Sequence, residues 1–127
     1  MTREEFIQIL DKKGYSYELV GDKIVIFSGD FNNDIKLGAL ESIPSDVVFR
    51  NEGNVYLLSL YSIPPGTIFN NGASVYFEYM LESISSSVVF NNRLYIYCKF
   101  NLDGCDIKGI HSKRLFNLMI KQKIFER

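Results

Sequence analysis

The side chains best suited to catalysis in this sequence are one histidine, two cysteines and dispersed carboxylates. His111 has no nucleophile or acid motif around it, which favours a surface or capping role over catalysis. Cys98 and Cys105 do not have the Cys-x-x-Cys spacing of redox and zinc sites. The sequence contains no phosphate-binding loop, nucleophile elbow or His-Glu-x-x-His motif. It therefore predicts no catalytic residues, no metal site and no cofactor.

The composition narrows the class of protein. The chain has 127 residues, of which 46% are hydrophobic and 23% charged, and its formal net charge is −1. These values favour one folded domain over a disordered chain, and they exclude broad electrostatic binding of nucleic acid. No apolar run reaches the roughly 18 residues of a membrane helix, and Met1-Thr2-Arg3 does not begin a signal peptide. With only two cysteines, we expect a reduced, cytoplasmic protein without membrane contact.

A repeat of about 20 residues is the main signal in the sequence. Ser42-Ile43-Pro44 recurs as Ser62-Ile63-Pro64 and Ser83-Ile84-Ser85. Phe49-Arg50-Asn51 recurs as Phe69-Asn70-Asn71 and Phe90-Asn91-Asn92. This period is too short for a helix pair or a propeller blade, and apolar and polar residues alternate within each copy as in a strand. The sequence predicts a mainly β chain folded as a short parallel β-solenoid of about three to four coils.

Parallel stacking of the coils predicts columns of equivalent side chains about 4.8 Å apart. A partial first copy, Phe31 to Leu37, aligns with Phe90 to Ile96 without a gap. The predicted inward columns are Ile35, Val55, Val75 and Leu94; Leu37, Leu57, Phe77 and Ile96; Ile43, Ile63 and Ile84; and Val48, Ile68 and Val89. Asn33, Asn51, Asn71 and Asn92 form a further column at one corner, for which we predict a structural role.

Both ends of the chain are predicted to cap the solenoid. Thr2 and Glu5 have the spacing of a capping box for a helix over residues 2–13, which Gly14 would end. Ser112 would begin a second helix that runs to about residue 122. We therefore expect a single domain over residues 1–127. It comprises an N-terminal cap helix at 1–14, the coils at 22–107 and a basic, helical C-terminal cap at 108–127.

Outward-facing tyrosines are the best candidate for a binding surface. If Val55 and Leu57 point inward, the residue between them points outward, and its equivalents lie above it. A tyrosine column can stabilise neighbouring strands, and tyrosine is also enriched at protein interfaces. Both interpretations remain open at this stage. The predicted interaction residues are Tyr56, Tyr76 and Tyr95, with Leu58 and Tyr97 extending the stripe.

A second candidate surface is basic and lies near the C-terminus. Its residues are Lys113, Arg114, Lys121 and Lys123. They would contact nucleic acid or an acidic protein surface, or they form a solvated helix face whose cations suit the helix dipole. A head-to-tail contact with the acidic region from Asp22 to Glu52 of a second copy would build an oligomer.

The segment Leu60-Tyr61-Ser62-Ile63-Pro64 is similar to the Leu-x-x-Leu-Pro segment of the short leucine-rich repeats in bacterial effector proteins, as is Leu40 to Pro44. Gly38 and Leu58 stand where those repeats carry asparagine, which favours a closed β-helix over a horseshoe. The layout from Glu5 to Arg127 resembles small repeat proteins of unknown function encoded by gut bacteria and their phages. The resemblance implies a solenoid of bacterial or phage origin. If the protein is phage-encoded, its expected location is the host cytoplasm or the virion.

The sequence as a whole predicts a non-enzymatic interaction or structural module that contacts a protein partner or its own copies. One alternative is a phage-encoded inhibitor of a host defence or regulatory protein. Another is a protein that contacts nucleic acid through its basic C-terminus.

Overall fold

Short parallel strands stack into a β-solenoid of about three turns, with one helix at each end. The computed structural model describes residues 1–38, 40–102, 105–111 and 113–122. The predicted mainly β solenoid with two terminal helices is therefore confirmed.

The described chain contains two α-helices, twelve strands and one 3-10 turn at Phe31–Asn33. In chain order the helices and strands are α1 (Arg3–Lys13), β1 (Ser16–Val20), β2 (Lys23–Ser28), β3 (Ile35–Lys36), β4 (Val47–Phe49), β5 (Val55–Tyr56), β6 (Ser62–Ile63), β7 (Ile68–Phe69), β8 (Val75–Leu81), β9 (Ser83–Ile84), β10 (Val89–Phe90), β11 (Ile96–Leu102), β12 (Cys105–His111) and α2 (Lys113–Lys121).

The strands form three sheets that run along the solenoid axis. Sheet A has the order β1-β2-β4-β7-β10, sheet B has the order β12-β11-β8-β5-β3, and sheet C pairs β6 with β9. We number four coils by their sheet A strands, so that coils 1 to 4 begin at β2, β4, β7 and β10. Only coils 2 and 3 contribute strands to all three sheets, so the four coils amount to about three turns. Each coil passes from sheet A to sheet B along one edge of the solenoid, and we call this edge the A–B corner.

Two antiparallel strands were not expected from the sequence. β1 pairs with β2 and β12 pairs with β11, so each end of the solenoid carries one hairpin strand. The predicted C-terminal cap over 108–127 is not helical in its first residues, because 108–111 belong to β12. The helix expected from Ser112 to about residue 122 is present at Lys113–Lys121. The local signals were present, since Gly21-Asp22 and Asp103-Gly104 are two-residue sequences typical of hairpins.

The register corrects the ends of two predicted columns. Val55 pairs with Val75, and Val75 pairs with Ile96 rather than with Leu94. Ile96 is fully buried, whereas Leu94 is 48% exposed. The length of the A–B corner explains why Ile96 takes the inward position. In coils 2, 3 and 4, the first inward residue of sheet B follows the buried phenylalanine of sheet A by six residues. Counting from Phe90 therefore leads to Ile96, and Cys98 replaces Ile96 in the following buried column.

The core of sheet A is built from phenylalanines. Phe49, Phe69 and Phe90 are fully buried and stack with ring centroids 5.1 and 4.6 Å apart. In the predicted inward column of Val48, Ile68 and Val89, only Val48 is buried, whereas Ile68 is half-buried and Val89 is exposed. Strand alternation places all three on the face opposite to the core phenylalanines. The column of Ile43, Ile63 and Ile84 is buried as predicted.

The partial first copy is also shifted from its predicted alignment. Ile26 pairs with Phe49 and is the counterpart of the core phenylalanines, so Phe31 is not. Coil 1 takes nine residues from Ile26 to Ile35, three more than the other corners. The Asn33 side chain accordingly does not join the asparagine column, although its carbonyl accepts from Asn51 at 2.8 Å.

The helices close the two ends of the core. The Thr2–Glu5 capping box is present, and Gly14 ends α1 in the left-handed conformation with φ of 74°. Phe6 and Leu10 of α1 are buried in the core at one end, as Phe116 and Ile120 of α2 are at the other. Within the described residues, no helix has the length and apolar character needed to cross a membrane.

Candidate interaction surface at the A–B corner

Three tyrosines form a stacked ladder on the outer face of sheet B. The ring centroids of Tyr56 and Tyr76 are 4.7 Å apart, and those of Tyr76 and Tyr97 are 4.5 Å apart. The rings are parallel to within 8°. The third member is Tyr97 rather than the predicted Tyr95, because the register pairs Tyr97 with Tyr76. The predicted outward column is thus present, with one residue exchanged.

The stacked tyrosine rings of the ladder cover one another's faces. Each of the three tyrosines is half-buried, and stacking leaves mainly ring edges and hydroxyls toward solvent. Burial, together with the adjacent tyrosines, raises the pKa of Tyr76 above its usual value. Stacked aromatic pairs contribute about 0.5–1.5 kcal/mol each, so the ladder stabilises sheet B whatever else it does.

Tyr95 projects from the end of this ladder. Its ring meets that of Tyr97 edge-on, with centroids 6.5 Å apart and an interplanar angle of 79°. Tyr95 is 52% exposed, and the preceding Leu94 is exposed to a similar degree. We call Leu94, Tyr95 and Tyr97 the corner patch. It is an apolar surface at the C-terminal end of the A–B corner.

The other coils carry small residues at the positions of Leu94 and Tyr95. The Leu94 N–H donates to the Ala73 carbonyl at 3.0 Å, and Leu94 occupies the position in coil 4 that Ala73 occupies in coil 3. The Tyr95 N–H donates to Ser74 Oγ at 3.2 Å, and Tyr95 is likewise the coil 4 counterpart of Ser74. The corresponding pair in coil 2 is Gly53-Asn54. The last coil therefore departs from the repeat by adding two large side chains.

Coil packing explains why the inner corners are small. A Cβ atom on Gly53, the coil 2 counterpart of Leu94, would lie 2.6 Å from the Asn32 carbonyl oxygen. A side chain at this position of coil 2 would collide with the backbone of the preceding coil. Leu94 and Tyr95 instead extend into solvent, so coil packing does not require their size.

A polar ladder behind the patch was missed at the sequence level. Asp34 Oδ1 accepts the Asn54 N–H at 2.8 Å, and Asn54 Oδ1 accepts the Ser74 N–H at 2.9 Å. With Ser74 Oγ accepting the Tyr95 N–H, each short polar side chain pairs with the backbone of the next coil. The signal was the position just before each inward residue Ile35, Val55 and Val75.

The remaining predicted interaction residue, Leu58, lies apart from the corner patch. It is half-buried, and its Cδ1 lies 3.7 Å from the position that a Cβ on Gly38 would occupy. The residue therefore packs over Gly38 of the preceding coil.

The predicted basic patch is divided between structural and exposed residues. Lys113 is half-buried, and its Nζ donates to the Asn92 carbonyl at 2.6 Å, so it holds α2 to the last coil. Arg114 and Lys121 are exposed and line a shallow groove with Asn117 and Leu118. Lys123 lies outside the described residues.

Reactive groups are sparse in the described part of the chain. No cluster of three or more His, Cys, Asp or Glu side chains there has a geometry that could hold a metal ion. Cys98 is a buried free thiol, and burial raises its pKa to about 12, so the thiol stays protonated at neutral pH. The side chains of Cys105 and His111 lie outside the description.

Comparison with protein-family models, with curated proteins and with solved structures finds no match to this chain. Function is therefore inferred from the chemistry of the surface.

Proposed function

We propose that this protein is a binding module, not a catalyst, and that the corner patch is the surface with which it contacts another protein chain. The observation that carries the proposal is the departure of coil 4 from the repeat. Leu94 and Tyr95 stand where the equivalent residues in coil 3 are Ala73 and Ser74, and coil packing does not require the change. Tyrosine is among the residue types enriched in interface hot spots.

The scaffold under the patch supports binding because it is rigid. Tyr97 is held in the ladder, and Tyr95 is held by its edge contact and by its backbone bond to Ser74. Side chains that are already ordered lose little conformational entropy when a partner covers them. The patch is therefore better suited to binding than an equal apolar area on a mobile loop.

The variant that tests this proposal takes its replacement residues from the neighbouring coil. The double substitution Leu94→Ala with Tyr95→Ser gives coil 4 the corner of coil 3, which the fold already accommodates. Leu19→Ala removes a similarly exposed leucine, 50% accessible, from β1. The three proteins serve as bait for cell extract and for an untagged copy of the chain, and each bound protein is quantified.

We expect the double variant to lose at least about tenfold in binding of a protein that the wild type and Leu19→Ala retain equally, since truncating one hot-spot tyrosine costs about 2 kcal/mol or more. Identical profiles for all three baits, with unchanged circular dichroism, would remove the corner patch as a binding surface.

A further inference from the structure

Phe31 is the most exposed large hydrophobic residue among those described, with 91% of its surface accessible. It lies in the three-residue extension that distinguishes the coil 1 corner from the others. The sequence repeat aligns Phe31 with the core phenylalanine Phe90, but Ile26 occupies that core position in coil 1. Phe31 therefore makes no contribution to the hydrophobic core.

The turn around Phe31 is well fixed. Asp30 Oδ2 accepts the Tyr15 hydroxyl at 2.9 Å, the Asp30 N–H donates to the Asp34 carbonyl at 2.9 Å, and the Asn33 N–H donates to the Asp30 carbonyl at 2.7 Å. Asn32 and Asn33 take positive φ values of 77° and 58°, which asparagine tolerates. The phenyl ring is thus presented to solvent by an ordered turn.

Phe31 and the corner patch lie at opposite ends of the same edge of the solenoid. Both belong to the A–B corner, Phe31 in the first coil and Leu94 and Tyr95 in the last. Charges of opposite sign accompany them, because exposed Asp30 precedes Phe31 and exposed Arg93 precedes Leu94. One end therefore presents an apolar side chain beside an anion, and the other presents an apolar surface beside a cation.

We infer that copies of this chain associate head to tail, with Phe31 of one copy packing on the corner patch of the next and Asp30 facing Arg93. The inference rests on the proposed function, since it names a second copy as the partner of the same patch. Because the two contacting surfaces differ, the contact is heterologous, and each added copy leaves one surface of each kind free. Association then continues beyond a dimer as the concentration rises.

Complementation between two variants tests this arrangement. Phe31→Ala removes the protruding ring and keeps the patch, whereas Leu94→Ala with Tyr95→Ser removes the patch and keeps the ring. Each variant alone should be monomeric in sedimentation velocity, its association weakened at least about tenfold. An equimolar mixture should form a one-to-one dimer and nothing larger, because only one productive contact remains. Phe27→Ala, which removes a 37% exposed ring from β2, is the matched control and should associate as the wild type does.

Several results would overturn the inference. They are a wild type that stays monomeric at millimolar concentration, a Phe31→Ala variant that associates normally, and a mixture that fails to form the dimer although both variants are folded. The proposed function is judged separately. Patch-dependent capture of another protein by a monomeric wild type would keep the binding module and reject self-association. Loss of association in the patch variant but not in Phe31→Ala would keep the patch and reject the head-to-tail contact.

Discussion

At the scale of single residues, three buried asparagines connect the coils at the A–B corner. Asn71 Nδ2 donates to the Gly53 carbonyl of the preceding coil and to the Ser74 carbonyl of its own coil, both at 3.1 Å. Asn51 and Asn92 make the equivalent pairs. Each amide nitrogen therefore joins one carbonyl of the preceding coil to one carbonyl of its own turn, and the latter also accepts a backbone N–H, as Ser74 does from Val55 at 3.0 Å. The predicted structural role of these asparagines agrees with this geometry.

Substitution of the central asparagine tests this role. Asn71→Ala would remove the bonds to the Gly53 and Ser74 carbonyls, of which Ser74 keeps the Val55 N–H, and we expect the free energy of unfolding to fall by about 1–2 kcal/mol. Asn70→Ala changes the preceding exposed asparagine and should alter stability by less than about 0.5 kcal/mol. Urea unfolding monitored by tyrosine fluorescence measures both values. Equal effects of the two substitutions would mean that the amide contacts contribute no stability.

Cys98 should make the folded state sensitive to alkaline pH. Its pKa is raised to about 12 by burial, so the folded state favours the protonated thiol. The resulting stability is complete below the ordinary thiol pKa of about 9 and is lost as the pH rises toward 12, by up to about 1.4 kcal/mol per pH unit. Cys98→Ala removes this contribution, so its unfolding free energy should fall less steeply than that of the wild type between pH 9 and pH 11. Parallel curves would show that the thiol does not titrate differently in the two states.

At the scale of elements, Asn117 closes the open edge of sheet A. The Phe90 N–H donates to Asn117 Oδ1 at 2.8 Å, and Asn117 Nδ2 donates back to the Phe90 carbonyl at 2.5 Å. These two bonds reproduce the exchange between paired strands, so a side chain of α2 acts as the next strand. The edge of β10 is thereby protected from pairing with another chain.

Removing this side chain should open the end of sheet A. We expect Asn117→Ala to lower the free energy of unfolding by about 2 kcal/mol and to accelerate hydrogen exchange at the Phe90 amide. Leu118→Ala alters the neighbouring exposed residue of the same helix and controls for changes in α2 itself. Unchanged exchange at Phe90 in the Asn117 variant would show that another group protects this edge.

Element positions were predictable where the repeat fixes them, and less so where pairing depends on distant residues. The period near 20 residues and the capping residues Thr2 and Gly14 were sufficient for the solenoid and its first helix. The register of coil 4 was not, because Leu94 and Ile96 are both apolar and only the six-residue step from Phe90 separates them. Exposure of Leu94 and Tyr95 depends on that register, so the corner patch became visible only in three dimensions.

At the scale of the whole molecule, each coil contacts mainly its neighbours, and the columns are continuous from one coil to the next. Phe49, Phe69 and Phe90 form one stack, and Tyr56, Tyr76 and Tyr97 form another. Stability of such a molecule is approximately the sum of coil and interface contributions. The two ends carry the special features, namely the caps, the hairpin strands, Phe31 and the corner patch.

This additivity predicts that the solenoid can be lengthened. Residue 89 pairs with residue 68, so a second copy of residues 68–88 inserted before Val89 restores every pairing and adds one ring to each aromatic stack. We expect the longer chain to fold, to keep or raise its urea midpoint, and to show an m-value larger by roughly one sixth, since more surface is buried. An insert of the same composition in scrambled order is the control and should lower the midpoint. A lower midpoint for the true duplicate, or two separate transitions, would mean that the end caps rather than the coil interfaces hold the fold together.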